Sequence, residues 1–500
     1  MRHYFSAAPV RKTLILFLSN YFACSLVAST RTAMADEVET RPASPNVILI
    51  VVDDLGWMDL SCQGSDYYKT PHIDRIAKEG VRFTNGYAAC AVCSPTRAAL
   101  QTGRYPARIG VTDWIRSLFQ RGKVGTPDRN PTEYVGGKNR KLLCPPNPFW
   151  MEHDEVTIAE VLGSHGYKTA YIGKWHLGDE AWYPPGQGYD ENRGGCDYGQ
   201  PPSYFDPYNQ PKHRHPMIRA GIPSLPGRQK GEFLTHREAD EAVQLIRQWK
   251  DQPFFINLGH YAVHTPIQAI DEVAARYKKE GKSDVNAKYA AMVESIDDST
   301  RDILQTLEDL DLDDRTMIIF TSDNGGLDNG GRPTDNAPLR SGKGYAYEGG
   351  IRVPFLVRWP GKIKPGMTSD TPVCSIDVFP TILEAAGIRA PAERKIDGLS
   401  LWPLLQPDGQ AKLNRDELIW HFPHYRHAPG PYSILRKGNW KLIHFDEGIS
   451  ELYDLENDLS ESRNLADKEV DRVEAMQARL SEILESMDAK RPVVNPNFAR

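Results

Sequence analysis

The sequence predicts an α/β protein with a large mixed sheet flanked by helices, followed by a smaller α+β region. Two observations predict the first part: runs of continuously apolar residues, and stretches of helical periodicity that alternate with them. A third observation predicts the second part. From about residue 410 the runs shorten into pieces typical of antiparallel strands, and a helix closes the chain.

The apolar runs predict strands that are buried on both faces of the sheet. The first run, Asn46–Val52, is β-branched and apolar beyond its first residue. Similar runs predict four more strands: Thr169–Ile172, Phe254–Leu258, Thr316–Phe320 and Val353–Val357. Helical spacing predicts the covering helices: Ile73–Glu79, Thr96–Gln101, Val156–Leu162, Glu238–Trp249 and Tyr289–Leu310.

The last ninety residues predict a subdomain of their own. Glu417–Trp420, Tyr432–Leu435 and Trp440–Phe445 have the pattern of antiparallel strands, and a turn at 437–439 joins the last two. Lys468–Met487 is predicted as the final helix. The expected organisation is a main domain at 45–409 and a subdomain at 410–500. Two long loop segments in the main domain, 115–150 and 183–232, are predicted to form walls of a binding cleft.

The first 35 residues predict a secretory signal peptide. Basic side chains precede the mostly apolar run Thr13–Ala28, and Ala33-Met34-Ala35 has the form of a cleavage site. The alternative, a retained membrane anchor, is disfavoured because the run is short and interrupted. We therefore expect an exported protein, periplasmic or secreted, with no membrane attachment after cleavage. The absence of an N-glycosylation sequence favours a bacterial over a lysosomal setting.

Charge and cysteine content exclude several classes of protein. The chain has a formal charge of −6, which becomes −10 once four basic and no acidic residues leave with the signal peptide. This charge argues against a nucleic-acid partner. The seven cysteines are widely spaced and do not form the framework of a small disulfide-rich scaffold.

Acidic side chains follow two of the predicted buried strands. Asp53 and Asp54 come after the first strand, and Asp323 and Asn324 follow the strand at 316–320. Ligands of open α/β sheets gather at the carboxyl ends of strands, and oxygen ligands favour Ca²⁺ or Mg²⁺ over zinc. Turn capping explains either pair alone, but both pairs together predict a metal site.

Cys93 lies in a segment with three interpretations. Pro95 suits the first turn of a helix, which places Cys93 at a helix N-terminus where negative charge is favoured. Cys90 and Cys93 also form a C-x-x-C pair, which suits redox chemistry or zinc, although no second pair accompanies it. An inert buried thiol is the general default.

Two segments closely resemble the signatures of the sulfatase family. Cys93-x-Pro95-x-Arg97, with Leu100-x-Thr102-Gly103-Arg104 behind it, resembles the first signature, and Gly166–His176 resembles the second. The resemblance covers nearly all of 45–500 and implies the alkaline-phosphatase-like fold. It also implies that a maturation enzyme oxidises Cys93 to formylglycine.

The resemblance further implies the residues of the site. Asp53, Asp54, Asp323, Asn324 and the modified Cys93 would hold one Ca²⁺. The sulfate pocket would be lined by Arg97, Lys174, His176, His264 and Lys343. A hydrated aldehyde would attack sulfur and later expel sulfate in two covalent steps. In this scheme Asp323 takes the proton of the attacking hydroxyl, His264 or Lys343 protonates the leaving alcohol, and His176 starts the elimination.

Several of these residues also have ordinary structural explanations. Lys174 and Lys343 are surface lysines unless their preceding glycines mark tight loops near a ligand. His264 matches the family's His-x-Pro pattern, whereas His260 and His264 would bind zinc together only on a helix, which Pro266 disfavours. The C-terminal region contains a basic cluster, His421, His424, Arg426 and His427. These side chains are either ordinary surface residues or residues that recognise the part of the substrate beyond the sulfate.

The predicted function is an exported, calcium-dependent sulfatase acting on a sulfate monoester, for which long polar loops and many aromatic residues favour a carbohydrate. The first alternative is a phosphonate or phosphate ester hydrolase, since related enzymes share this site. The second is a non-catalytic glycan-binding protein, against which the complete set of polar site residues argues.

Overall fold

The computed structural model describes residues 44–115, 129–214, 216–406 and 412–499. Residues from Ser44 onwards form one compact unit. The predicted signal peptide and the boundary predicted after residue 409 lie outside the described residues, and both stay predictions. Among the described helices, none is both long and apolar enough to cross a bilayer. The six cysteines in these ranges are all free thiols.

Each predicted strand is present close to its predicted position, and the described residues form further strands that were not predicted. In chain order they are β1 Asn46–Val52, β2 Val81–Phe83, β3 Gly86–Tyr87, β4 Leu142–Leu143, β5 Lys168–Gly173, β6 Glu191–Arg193, β7 Phe254–Gly259, β8 Thr316–Ser322, β9 Phe355–Arg358, β10 Met367–Ser369, β11 Val373–Cys374, β12 Glu417–Phe422, β13 Tyr432–Lys437, β14 Trp440–Phe445, β15 Ile449–Asp454 and β16 Val493–Val494. The strand predicted at Val353 begins two residues later, after Pro354, whose ring nitrogen cannot donate to a ladder.

The main sheet has eight strands in the order β10-β2-β9-β8-β1-β7-β5-β6. The central strand β1 pairs in parallel with β7 and with β8, and Val52 lies opposite Ser322. β8 and β2 each pair antiparallel with β9, so the sheet is mixed, as the sequence predicts. The carboxyl ends of β1 and β8 therefore lie side by side.

The described helices are α1 Pro71–Lys78, α2 Cys93–Thr102, α3 Pro106–Ile109, α4 Ile158–Ser164, α5 Pro216–Ala220, α6 Leu234–Gln248, α7 Asp271–Arg276, α8 Asp284–Asp309, α9 Glu348–Ile351, α10 Val378–Ala385, α11 Trp402–Leu405 and α12 Val470–Glu485. Helices cover both faces of the main sheet, whereas α12 packs elsewhere. Alternate residues of β1 enter different cores: Ile48 and Ile50 pack with α6 and α8, whereas Val47 and Leu49 pack with α2, α4 and α10. Burial on both faces explains the continuously apolar strand.

The C-terminal region forms a four-stranded antiparallel sheet, β12-β13-β14-β15, with α12 packed against it. Gly438 adopts a positive φ of 56° in the predicted turn between β13 and β14. The sheet shares a third core with the segment before α2, where the Trp420 and Tyr87 rings lie 5.3 Å apart. It thereby closes one side of the region around Cys93, and the fold class predicted from the sequence is confirmed.

Candidate active site

The acidic residues that follow β1 and β8 meet at one edge of the sheet. The backbone N–H of Asp54 donates to Asp323 Oδ1 at 3.3 Å, and Asn324 Nδ2 donates to Asp54 Oδ1 at 2.8 Å. Asp53, Asp54, Asp323 and Asn324 are all buried. The parallel pairing of the two strands produces this cluster.

Each of these carboxylates is paired with one buried cation. Lys174 lies 2.6 Å from Asp53, Lys343 lies 2.6 Å from Asp54, and Arg97 lies 2.8 Å from Asp323. Arg97 Nη1 also donates to the backbone carbonyl of Lys174, which connects α2 to the loop after β5. Neither lysine is a solvated surface residue, so the surface explanation of Lys174 and Lys343 is wrong.

The pKa values within the cluster diverge. Burial raises the pKa of Asp53 well above its ordinary value even though Lys174 is adjacent. Burial is also the largest influence on Asp54 and Asp323 and acts in the same direction, but their neighbouring cations together outweigh it. Lys343 contributes most at Asp54 and Arg97 most at Asp323, and the pKa of both carboxyls is lowered. The ionised forms of Asp54 and Asp323 are thus stabilised by their neighbours, whereas the negative charge of Asp53 is poorly compensated.

Two acceptor oxygens of the cluster have no partner among the described residues. They are Asp53 Oδ1 and Asn324 Oδ1, both buried. An unsatisfied buried acceptor is unfavourable, and a cation between these oxygens would satisfy both. Ligand atoms of Asp53, Asp54 and His264 lie within 4.8 Å of one another, close enough for one ion. The residues present therefore fit a hard divalent cation. His264, predicted only as a residue of the sulfate pocket, lies beside these metal-binding oxygens as well.

Cys93 is the first residue of α2, as Pro95 in the first turn predicts. Its side chain is buried, and Sγ lies 3.3 Å from Nδ1 of His176. The next residue holds the surrounding loops, because Ser94 Oγ donates to the His176 carbonyl at 2.9 Å and accepts from the Ile115 N–H at 2.9 Å. Sequence analysis missed this role of Ser94, which no motif signals.

His176 has a defined tautomer. Its Nε2 lies 2.7 Å from the Ile115 carbonyl oxygen, which can only accept, so Nε2 carries the proton. Burial lowers the pKa of His176 well below its ordinary value, and nearby Lys174 acts in the same direction. The ring is therefore neutral, and its unprotonated Nδ1 points at Cys93.

A cavity of about 350 Å³ opens over Cys93. His176, His264 and Lys343 line it, and residues 197–202 form part of its wall, in line with the prediction for the loop at 183–232. Ile115, at the start of the other predicted loop, and the adjacent Trp114 also line the cavity, while residues 116–128 of that loop lie outside the described ranges. Lys174 and Arg97 were predicted to line the sulfate pocket, but neither is among the residues that line this cavity. Both are buried against the carboxylates of Asp53 and Asp323.

The alternative interpretations of cysteine and histidine find little support in the geometry. Burial raises the pKa of Cys90 to about 12, typical of an inert thiol. His260 is buried and contacts Glu238 at 2.7 Å and Ser299 at 3.0 Å, so it does not join His264 in a zinc pair. In the C-terminal basic cluster, His421 and His424 are buried, and Arg426 alone lines the cavity.

Two family models and several curated proteins match this chain. A family model described as Sulfatase matches residues 45–388, and one described as N-sulphoglucosamine sulphohydrolase, C-terminal, matches 341–490. The chain is 33% identical over 512 residues to a protein named Sulfatase from Formosa agariphila, with 88% of each chain covered. It is 35% identical over 382 residues to N-acetylgalactosamine-6-sulfatase from Homo sapiens, covering 73% of this chain and 66% of that protein.

The fold of this chain is also similar to that of a solved structure. Ps i-CgsB, crystallised with k-i-k-neocarrahexaose, superposes with a TM-score of 0.75 and 29% sequence identity, over 88% of this chain and 93% of that one. The first family model spans more than half of the sequence. This chain therefore belongs to the sulfatase family, whose members hydrolyse sulfate esters.

Proposed function

We propose that this protein is an exported, calcium-dependent sulfatase that hydrolyses a sulfate monoester of a carbohydrate, with residue 93 oxidised to formylglycine. The observation that carries the proposal is the position of Cys93. It lies at the N-terminus of a buried helix, at the floor of the cavity, and faces a neutral histidine acceptor 3.3 Å away.

The unpartnered oxygens of Asp53 and Asn324 support the metal part of the proposal. Asp54, Asp323 and an oxygen on residue 93 would complete the set of ligands. Oxygen donors of this kind favour Ca²⁺. The bound ion would polarise the sulfate oxygens as a Lewis acid.

A hydrated formylglycine would supply a hydroxyl nucleophile and release sulfate when its aldehyde re-forms. His176 Nδ1 is placed to accept a proton from the side chain of residue 93, and its bond to Ile115 keeps that nitrogen unprotonated. Asp323 accepts hydrogen bonds from the Arg97 side chain and from the backbone N–H of Asp54, so it mainly holds Arg97 in position. In the proposed reaction it would also act as a weak base that takes the proton of the attacking hydroxyl.

The leaving alcohol needs a proton from the opposite side of the sulfate. Lys343 and His264 both line the cavity and both approach Asp54, at 2.6 and 3.6 Å. Lys343, whose amine is protonated, is the proposed donor. His264 is the second candidate, but burial lowers its pKa to about 3 and its Nδ1 proton is directed at the Thr265 carbonyl, 2.9 Å away, so its Nε2 would have to gain a proton before it could donate one. Lys343 also offsets the negative charge of the ester, since its amine is held protonated by the adjacent carboxylate and its pKa is raised.

The carbohydrate part of the proposal rests on relatives and on the cavity wall. The human relative is named for an amino-sugar sulfate, and Ps i-CgsB was crystallised with a saccharide. Trp114 and Tyr198 line the cavity and offer aromatic faces, which commonly pack against sugar rings. Export rests on the signal-peptide pattern of residues 1–35 alone.

The test is to express the protein with a formylglycine-forming maturation enzyme and verify residue 93 by peptide mass spectrometry. Nitrophenyl sulfate and sulfated saccharides are then assayed for released sulfate, beside matched phosphate esters. Cys93→Ala should remove turnover, while Cys90→Ala, a matched change in the same buried segment, should keep it. Verified formylglycine enzyme that hydrolyses no sulfate ester, or prefers the phosphate esters, would overturn the proposal.

A further inference from the structure

A second positive group lies at the cavity beside the proposed sulfate pocket. Arg426 belongs to the connection between β12 and β13, and its side chain lines the same cavity as Cys93, His264 and Lys343. It is far along the chain from both signature segments. The C-terminal sheet, not the main sheet, places it there.

The histidines near Arg426 anchor its loop. His421 contacts Ser433 at 2.8 Å and the Lys490 carbonyl at 3.0 Å, and His424 contacts Thr112 at 2.8 Å. The ring of His427 stacks on Tyr345 with centroids 3.8 Å apart and planes 2° from parallel. These contacts hold the loop on both sides of Arg426 and leave its guanidinium as the group that reaches the cavity.

Gly344 makes room for this arginine. A Cβ at position 344 would lie 2.2 Å from Arg426 Nε and 2.9 Å from His427 Nε2, and its φ of 85° also favours glycine. Arg426 therefore lies directly over the backbone that follows Lys343. The arginine and the lysine approach the cavity as neighbours.

Arg426 differs from the other cations of the site in its charge balance. Arg97, Lys174 and Lys343 each hold a buried carboxylate. Throughout the ranges that the structure describes, Arg426 makes no hydrogen bond or ion pair, and its side chain is exposed to the cavity solvent. A planar guanidinium without a partner is suited to bind a sulfate or carboxylate through two parallel hydrogen bonds.

We infer that Arg426 binds a second anionic group of the substrate, a sulfate or a carboxylate, next to the sulfate ester that is hydrolysed. The inference rests on the proposed function and narrows its substrate class to saccharides with at least two negative groups. Lys343 and the cluster at the sheet edge would hold the scissile sulfate. Arg426 would select among sulfate esters without acting on the reacting atoms.

The experiment measures kcat/KM for wild type, Arg426→Ala and Arg426→Lys on matched substrates. These are a monosulfated neutral saccharide, a disulfated saccharide, and a monosulfated disaccharide that contains a uronic acid. Arg389→Ala is the control, because Arg389 is an exposed arginine after α10 that does not line the cavity. Thermal unfolding establishes that all variants are folded.

Wild type should prefer one of the two dianionic substrates, and that substrate identifies the second anion as sulfate or carboxylate. Arg426→Ala should reduce the preference about 10- to 100-fold, the range expected for a charge-assisted pair. Arg426→Lys should retain part of it, and Arg389→Ala all of it. An equal loss on all three substrates, or no loss on any, would overturn the inference while leaving the proposed function intact. A wild type without activity on any sulfate ester would overturn both.

Discussion

His176 Nδ1 lies 3.3 Å from Cys93 Sγ, while Nε2 of the same ring lies 2.7 Å from the Ile115 carbonyl. The second contact fixes the proton on Nε2 and leaves Nδ1 as an acceptor aimed at residue 93. The ring is thus set up to remove a proton from whatever group residue 93 carries.

Replacing His176 by Ala should slow turnover by about 10²- to 10⁴-fold, the usual contribution of a positioned general base. If His176 frees residue 93 after the ester has been cleaved, release of the alcohol should show a burst of about one equivalent, followed by slow turnover. Stopped-flow assay of nitrophenyl sulfate measures both phases. Slow turnover without a burst would assign His176 to the first step instead.

Gly199→Ala should impair catalysis through the same ring. A Cβ at this position would lie 2.8 Å from Cε1 and 2.9 Å from Nε2 of His176, so the ring must move and its bond to Ile115 weakens. We expect kcat to fall at least about tenfold. The matched control is Gly163→Ala in α4, where the nearest atom to the new Cβ is 4.0 Å away. That variant should keep full activity and gain up to about 1 kcal/mol of stability.

Calcium should stabilise the folded protein independently of activity. An ion that binds only the native state adds about 2.7 kcal/mol at a hundredfold excess over its Kd. The Tm should rise with CaCl₂, and less with MgCl₂, which needs a smaller octahedral site. Asp53→Asn should abolish the calcium-dependent rise, because Asp53 carries one of the two unpartnered oxygens.

The control for the calcium experiment is Asp467→Asn, an exposed carboxylate after β15. It should leave the calcium-dependent rise in Tm unchanged. A rise that persists in Asp53→Asn would place the ion elsewhere in the protein.

His421 should make stability depend on pH in the acid range. Burial, with a contribution from His424 and Arg491, lowers the pKa of His421 to about 4, against about 6.5 in an unfolded chain. The unfolded state therefore binds more protons between these values. The stabilising contribution is complete above about pH 6.5 and is lost as the pH falls towards 4, by on the order of 3 kcal/mol at most.

The variant His421→Gln keeps a donor and an acceptor for Lys490 and Ser433 but cannot titrate. It should be less stable than wild type at pH 7 and show a smaller loss of unfolding free energy between pH 6.5 and 4. Urea unfolding at a series of pH values measures both. Parallel curves for the two proteins would contradict the assignment.

Sequence patterns predicted the centre of the fold better than its edges. β1, β7 and β8 are buried on both faces, and such strands are recognisable as unbroken apolar runs. β2 and β6 are three residues long and were missed, because so short a strand carries no periodic pattern. β15 was also missed, since its first residue, Ile449, is exposed and the next two, Ser450 and Glu451, are polar and only partly buried.

In the site, too, the residues that follow buried strands were predictable from the sequence, and those on irregular loops were not. The approach of Asp53 and Asp54 to Asp323 follows from parallel strand pairing, so the sequence was sufficient to predict it. The carbonyl of Ile115 and the side chain of Arg426 come from irregular loops, whose positions depend on tertiary packing that leaves no local signal.

The burial of Cys93 has a consequence for the timing of maturation. Only 4% of this residue is exposed, and the elements that enclose it, β8, Lys343 and the C-terminal sheet, are synthesised more than 200 residues later. The maturation enzyme of the proposed function would reach the thiol while the nascent chain is still extended, but not after these segments have docked. The proposed oxidation of residue 93 would then have to precede folding, and a host that folds the chain first would accumulate protein that no later treatment with the enzyme activates.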